Sequence, residues 1–232
     1  MEKREKAGKR VFFVIPAYNE ARSISKVVKG LKKAGYKDIV VVDDCSRDRT
    51  FQEAKRERIF VLRHIINRGQ GAAIRTGMDF ALKQGADVIV HFDSDGQHRV
   101  EDLPAMVRPV LDGEVDVTLG SRFLKKTKMP LARRILLKGS VLIQWMFYGV
   151  WLSDAHNGFR VLSRKAAQRI NITSDRMEHA SEIVEEIVKK RISYREVPVV
   201  IKYTSYSQAK GTASFLGALR ILGKMIFKKL IG

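Results

Sequence analysis

Apolar positions in the first 120 residues follow two rhythms. Short runs rich in β-branched residues, Val11–Ile15, Ile39–Val42, Ile59–Leu62, Val88–Phe92 and Val115–Leu119, predict strands. Between them, amphipathic stretches at Ala21–Lys33, Arg49–Arg56, Gly71–Lys83 and Val100–Leu111 predict helices. Strands alternating with helices predict an α/β fold, a mostly parallel sheet flanked by helices on both faces. Ligands of such sheets sit beyond the carboxyl ends of the strands. The polar segments fall there: Pro16–Glu20 after the first strand, Asp43–Asp48 after the second, Asp93–His98 after the fourth and Gly120–Phe123 after the fifth.

The second half changes character. Ile135–Leu152 is apolar, broken only by Lys138, Ser140 and Gln144, and it gathers Trp145, Phe147, Tyr148 and Trp151 near its end. It is short for a bilayer span and suits a buried or interfacial helix. Glu178–Lys190 predicts a helix, and Tyr194–Lys202 a strand that Pro198 confines to an edge. Ser214–Ile231 closes the chain as an amphipathic helix with interleaved lysines. The expected organisation is a basic tail at 1–10, one domain at 11–210 and a C-terminal helix at 211–232.

Composition narrows the class. With 232 residues, 45% apolar and 30% charged, the chain buries a core and is not disordered. A single cysteine, Cys45, excludes an internal disulfide framework and a CxxC zinc site, and fits a reducing compartment. No apolar run reaches the ~18 residues of a membrane span, and Pro16, Asn19 and Glu20 cut the first strand too short for a signal peptide. A cytoplasmic protein is expected. Lys and Arg number 44 against 25 Asp and Glu, a formal charge of +19. The excess is concentrated: Arg122–Lys138 holds seven basic residues and no acid, and no carboxylate side chain follows Glu196. An anionic partner is implied: nucleic acid, a phosphorylated ligand or an anionic membrane surface.

The polar segments carry the candidate chemistry. Asp93 and Asp95, two residues apart on a turn, can converge on a hard divalent cation. An EF-hand is excluded, because His98 and Pro104 stand where its glycine and its bidentate glutamate belong. Mg²⁺ or Mn²⁺ completed by substrate phosphates fits better, with Gln97 adding a neutral oxygen. Asp43 and Asp44 at the second strand end can bond a ribose hydroxyl or base edge. Gly69 and Gly71 permit a tight turn into a helix whose N-terminus faces phosphate. The third glycine of a dinucleotide fingerprint is missing, and so is a GxxxxGK[ST] loop.

Read in order, PAYNE (Pro16–Glu20), VVDDCSRD (Val41–Asp48), NRGQGAAIRTG (Asn67–Gly77), DSDGQH (Asp93–His98), GSR (Gly120–Arg122) and DAHNGFR (Asp154–Arg160) resemble family 2 glycosyltransferases of the GT-A fold. The likeness is strongest to the dolichol-phosphate-mannose synthase branch and covers roughly Val11–Lys210. It implies an inverting transfer from a UDP- or GDP-sugar, assisted by Mg²⁺ or Mn²⁺. It places Pro16, Tyr18, Glu20 and Asp43 around the nucleoside, and Asp93, Asp95 and Gln97 at the metal. Arg122 falls to an acceptor phosphate or the leaving group, and Arg133 and Arg134 to the same acceptor. The chain departs from that branch at Tyr203–Gly211, where the arginine of R-x-x-G-x-S-K is absent and Tyr203, Tyr206 and Lys210 are left to serve the diphosphate.

A polyprenyl phosphate acceptor suits the basic Arg122–Lys138 stretch beside an aromatic helix, because it needs positive clamps more than a base. A hydroxyl acceptor needs a general base, for which Asp154, His156, His179 and Glu182 are candidates. A nucleic-acid-binding protein, the reading prompted by charge alone, leaves the acidic pairs unexplained and lacks the usual signatures. The expected partners are therefore a nucleotide sugar and a lipid phosphate at a membrane surface, no nucleic acid, with a homo-oligomer left open.

Overall fold

The strand β1 (Val11–Ala17) sends alternate side chains into two separate cores, Phe12 and Val14 to one face, Phe13, Ile15 and Ala17 to the other. This division is read from a computed structural model that describes residues 8–124, 139, 141, 145, 149–154 and 157–202. Around β1 lie β2 (Ile39–Asp43), β3 (Phe60–Arg63), β4 (Val88–His91), β5 (Val117–Ser121), β6 (Arg160–Ser163) and β7 (Tyr194–Pro198), in the order β3-β2-β1-β4-β6-β5-β7. Pairings β1–β2, β1–β4, β2–β3 and β5–β7 are parallel, whereas β6 runs antiparallel between β4 and β5. β7 is an edge strand, as its proline requires.

Helices cover both faces. α3 (Gln70–Lys83), α5 (Arg164–Arg169) and α6 (His179–Lys189) bury Ala73, Ile74, Met78, Ala166, Ile183 and Ile187 in the core of Phe12. α1 (Ile24–Lys33), α2 (Thr50–Arg56) and α4 (Leu103–Leu111) bury Val28, Leu31, Ala54, Met106 and Val110 in the core of Phe13. The fold is therefore the expected α/β layer arrangement.

Several boundaries differ from the sequence expectation. α1 begins at Ile24 rather than Ala21, and α4 is preceded by a 3₁₀ turn at Val100–Asp102. β5 runs from Val117 to Ser121, so Gly120 and Ser121 belong to the strand instead of following it. β7 stops at Pro198, and beyond it Ile201 makes only an isolated bridge to His98. β6 and α5 were not expected. The apolar run of β6 is only Val161-Leu162 between Arg160 and Ser163, too brief for a period to register. The C-terminal helix expected at Ser214–Ile231 and most of Ile135–Leu152 lie outside the described residues.

Candidate functional site

The topology brings the carboxyl ends of β1, β2 and β4 side by side, with Ala17 opposite Asp43 and Val14 opposite His91. The segments after β1 and β2 are laced into one wall. The N–H of Asn19 donates to Ser46 Oγ (2.9 Å), that of Arg47 to Asn19 Oδ1 (2.9 Å), and that of Glu20 to Thr50 Oγ1 (2.7 Å). Glu20 is buried and accepts Ser23 Oγ–H at 2.6 Å, while Tyr18 remains exposed. Asp43 is fully buried. Its Oδ1 accepts the Ser46 N–H, and Arg63 Nε lies 3.0 Å from Oδ2 as an ion pair without aligning an N–H on it. Pro16 lies within β1.

Asp44 has a different task from its neighbour. Its carboxylate receives the N–H groups of Arg68 (2.9 Å) and Gly69 (2.7 Å), the Asn67 amide (2.8 Å) and His64 Nδ1 (2.7 Å). His64 Nε2 in turn meets Thr76 Oγ1 at 3.0 Å. Asp44 thus shapes the 64–69 turn that leads into α3. At Gly71 a Cβ would stand 2.1 Å from the Ser174 carbonyl oxygen, so this glycine lets the 174–176 segment lie directly on the helix start. Arg68 and Arg75 both pair with Asp175 at 3.0 Å, and the Ala72 N–H donates to the Asp175 carbonyl. Glu182 accepts the N–H groups of Thr173 (3.1 Å) and Ser174 (2.8 Å) and the Thr173 hydroxyl, which fixes that segment from below.

Asp93 and Asp95 follow β4. Gln70 Nε2 reaches Asp93 Oδ1 at 3.2 Å, and His98 Nε2 stands 2.8 Å from Oδ2. A Cβ at Gly158 would come within 2.8 Å of the same carboxylate, so the Asn157-Gly158 backbone lies against it. Burial pushes the Asp93 carboxyl up, but His98, then His179 and Arg160, hold it below its usual range. Asp95 is pushed up to about 6 by burial and by the Asp93 charge, against the Gln97 N–H that donates to its Oδ1 at 2.9 Å. Behind them are three groups that sequence reasoning passed over. His91 is buried with no hydrogen-bond partner on either ring nitrogen among the described residues, and burial lowers its pKa to about 3. Arg160 lies opposite it in register, donates Nη2–H to the Ala180 carbonyl at 3.0 Å, and is lowered to about 10 by burial. The sequence places His98 in the DSDGQH motif but does not disclose this contact with Asp93. Their shared signal was a polar residue inside or beside an apolar strand.

Arg122 follows β5 and is buried against Asp154, whose Oδ2 accepts its backbone N–H at 3.1 Å and its Nε–H at 2.6 Å. His179, at the start of α6, is buried with Nδ1 2.6 Å from the Arg176 carbonyl, and burial lowers its pKa to about 4. The structure therefore gathers Glu20, Asp93, Asp95, Arg122, Asp154 and His179 at one end of the sheet, with Asp44 and Gly71 in its supporting frame. Arg133, Arg134, His156, Tyr203, Tyr206 and Lys210 lie outside the described residues.

The donor set fits a hard divalent cation. Asp95 is raised chiefly by burial and then by Asp93, so a cation between the two carboxylates would relieve the repulsion. Among the described residues no three His, Cys, Asp or Glu side chains form a metal-holding group. Two carboxylates match a cation whose remaining ligands come from substrate phosphates and water. Gln97 enters here through its backbone, donating to Asp95 and accepting the Lys202 N–H at 2.9 Å.

Residues 12–170 match the family described as glycosyl transferase family 2. The chain is 41% identical to an uncharacterised protein of Methanocaldococcus jannaschii, over 95% of its own length and 92% of that protein's. It is 31% identical to the UDP-N-acetylglucosamine–dolichyl-phosphate N-acetylglucosaminyltransferase of Methanococcus voltae, over 97% and 98% of the two chains. Its fold is shared with glucosyl-3-phosphoglycerate synthase of Mycobacterium tuberculosis crystallised with Mn²⁺, UDP-glucose and phosphoglyceric acid. That alignment has a TM-score of 0.72 at 16% identity and covers 96% of this chain and 81% of that one.

Proposed function

Because this chain belongs to glycosyl transferase family 2, we propose that it moves a sugar, with inversion, from a UDP- or GDP-sugar to a polyprenyl or dolichyl phosphate. The wall built from Pro16–Glu20 and Asp43–Thr50 is suited to the nucleoside, with the Asp43 carboxylate buried within it beside Arg63. Asp93 and Asp95 would hold Mg²⁺ or Mn²⁺, which supplies charge neutralisation on the departing diphosphate. An acceptor phosphate oxygen attacks the anomeric carbon as the bond to the diphosphate breaks, and Arg122 steadies the phosphate charge.

One observation supports the choice of acceptor: among the described residues, the candidate bases Asp154, Glu182 and His179 are committed elsewhere or mistuned. Asp154 Oδ2 takes two bonds from Arg122, Glu182 holds Thr173 and Ser174, and His179 is lowered to about 4. A hydroxyl acceptor wants a base poised near the working pH, whereas a phosphate monoester is already ionised. The name of the Methanococcus voltae relative supports the same acceptor class. In this reading the enzyme acts peripherally at the surface of the membrane that carries such an acceptor, on its cytoplasmic face. Among the described residues no helix is long and apolar enough to cross a membrane.

The test has two arms. A thermal-shift panel of UDP-N-acetylglucosamine, UDP-glucose and GDP-mannose, each with and without Mn²⁺, should show metal-dependent stabilisation by one donor. That donor should then glycosylate a prenyl phosphate and leave the matching prenyl alcohol untouched. Transfer to the alcohol alone would overturn the phosphate reading.

A further inference from the structure

The end of β5 is held by a polar relay that starts on the edge strand β7. Glu196 sits opposite Leu119 in the β5–β7 register, two residues before the strand end at Ser121. Its neighbour Arg195 turns outward to pair with Glu114 at 2.7 Å, but the Glu196 carboxylate turns to the 153–154 segment. Its Oε1 accepts the Ser153 N–H (2.9 Å), the Ser153 hydroxyl (2.7 Å) and the Asp154 N–H (3.3 Å), and its Oε2 also lies 3.0 Å from the Ser153 nitrogen. Ser153 Oγ stands 2.5 Å from Ser121 Oγ, which accepts the Phe123 N–H at 3.2 Å.

The donors run in one direction. Ser153 spends its hydroxyl proton on the carboxylate, so Ser121 donates to Ser153, and Phe123 N–H donates to Ser121. Each link polarises the next, and the chain ends on a charge. Arg122 lies between Ser121 and Phe123, and its own N–H and Nε–H go to Asp154, the residue whose backbone Glu196 grips. Among the described residues, the hydrogen bonds to Asp154 and the Ser121–Ser153 link on either side of Arg122 both lead back to Glu196.

We propose that Glu196 is the positioning residue for Arg122, acting through Ser153 and Asp154 from outside the site. Its kinetic consequence rests on the reading of Arg122 as the phosphate clamp; its structural consequence does not. Without the carboxylate, the Ser153 and Asp154 N–H groups lose their acceptor and the Asp154 carboxylate is no longer aimed at the guanidinium.

Two measurements on the full chain separate these. In ¹⁵N-labelled protein, the Arg122 Nε–H resonance, assigned by its loss in Arg122→Lys, should exchange with solvent at least tenfold faster in Glu196→Ala. Glu196→Gln keeps an acceptor oxygen for Ser153 and should restore exchange to within about threefold of the parent. An unchanged Nε–H in Glu196→Ala overturns the proposal. In kinetics with a prenyl phosphate, Glu196→Ala should raise the acceptor KM at least fivefold with the donor KM unchanged, and add nothing in an Arg122→Ala background. A fall in kcat alone, with the acceptor KM intact, marks a merely structural role and also overturns it. Should Arg122→Ala itself leave the acceptor KM unmoved, the clamp reading fails while the exchange result stands. If Glu196→Ala does not fold, Ser153→Ala removes the hydroxyl link alone and should show the same exchange effect at reduced size; no effect there counts against the relay.

Discussion

His98 Nε2 stands 2.8 Å from Asp93 Oδ2, so the turn after β4 folds back on the carboxylate that opens it. With Gln70 on the other oxygen, Asp93 is held in place, and Asp95 is the member of the pair left at electrostatic cost, raised to about 6. That cost predicts the behaviour of Asp95→Asn. In metal-free buffer the variant should be at least as stable as the parent, because the change removes a charge that burial and Asp93 disfavour. Transfer should nearly vanish, and Mn²⁺ should no longer tighten donor binding. Calorimetric titration of the donor with and without Mn²⁺ checks this; parental rates at limiting metal would show that Asp95 does not hold it.

Gly71→Ala tests the frame. The new Cβ would meet the Ser174 carbonyl oxygen at 2.1 Å and His179 Cβ at 2.8 Å. Backbone on one side and a buried helix start on the other leave little room to yield, so a loss of about 1–3 kcal/mol or more is expected. Gly8→Ala, where a Cβ meets nothing within 4 Å, is the control. Denaturant melts of the two variants give the comparison, and equal midpoints would mean the 174–176 segment does not rest on α3.

The same glycine shows what the sequence could and could not disclose. The five strands that alternate with helices are readable because each carries a short apolar run rich in β-branched residues between helical stretches, and ligand chemistry is readable because polar segments follow them. Gly71 stood out as a turn former, but the neighbour that requires it, Ser174, is a hundred residues away in the chain and no period links them. Asp44 looked like a twin of Asp43 at the strand end. Only the folded 64–69 turn reveals that its carboxylate is spent on His64, Asn67, Arg68 and Gly69. Arg160 hid β6 for the opposite reason: a buried arginine at the head of a strand of four residues reads as surface.

Acid should destabilise the fold through His179. Burial and then the Arg160 charge lower its pKa to about 4, against the Arg176 carbonyl, Asp93 and Glu182, which favour protonation. The folded value lies below the ordinary 6.5, so the unfolded chain takes up the proton first. Stability is complete above pH 6.5 and is lost as the pH falls toward 4, by about 1.4 kcal/mol per pH unit for one such group. Other groups titrate in the same window, so the measurement is a difference: parent minus His179→Asn, in denaturant melts from pH 7.5 to 4.5. A difference that does not change with pH would mean His179 is protonated as readily folded as unfolded.

Leu124, Trp145 and Trp151 are 50%, 46% and 66% exposed, and the two indoles meet edge to face with centroids 6.0 Å apart. Large apolar side chains in the open, flanked in sequence by the seven basic residues of Arg122–Lys138, have the make-up of an interfacial anchor. Indoles settle at the headgroup level, and each lysine or arginine near an anionic surface adds about 1 kcal/mol. The protein should therefore float with phosphatidylglycerol vesicles at low salt, release as salt rises, and stay behind with phosphatidylcholine alone. Trp151→Ala should weaken flotation several-fold while donor-induced thermal stabilisation is unchanged, because Trp151 is remote in role from the nucleoside wall. Protein that stays at the bottom of the gradient with phosphatidylglycerol at low salt would end the membrane reading and turn the search for an acceptor toward soluble hydroxyls. Detergent-only extraction would instead indicate insertion deeper than the headgroups.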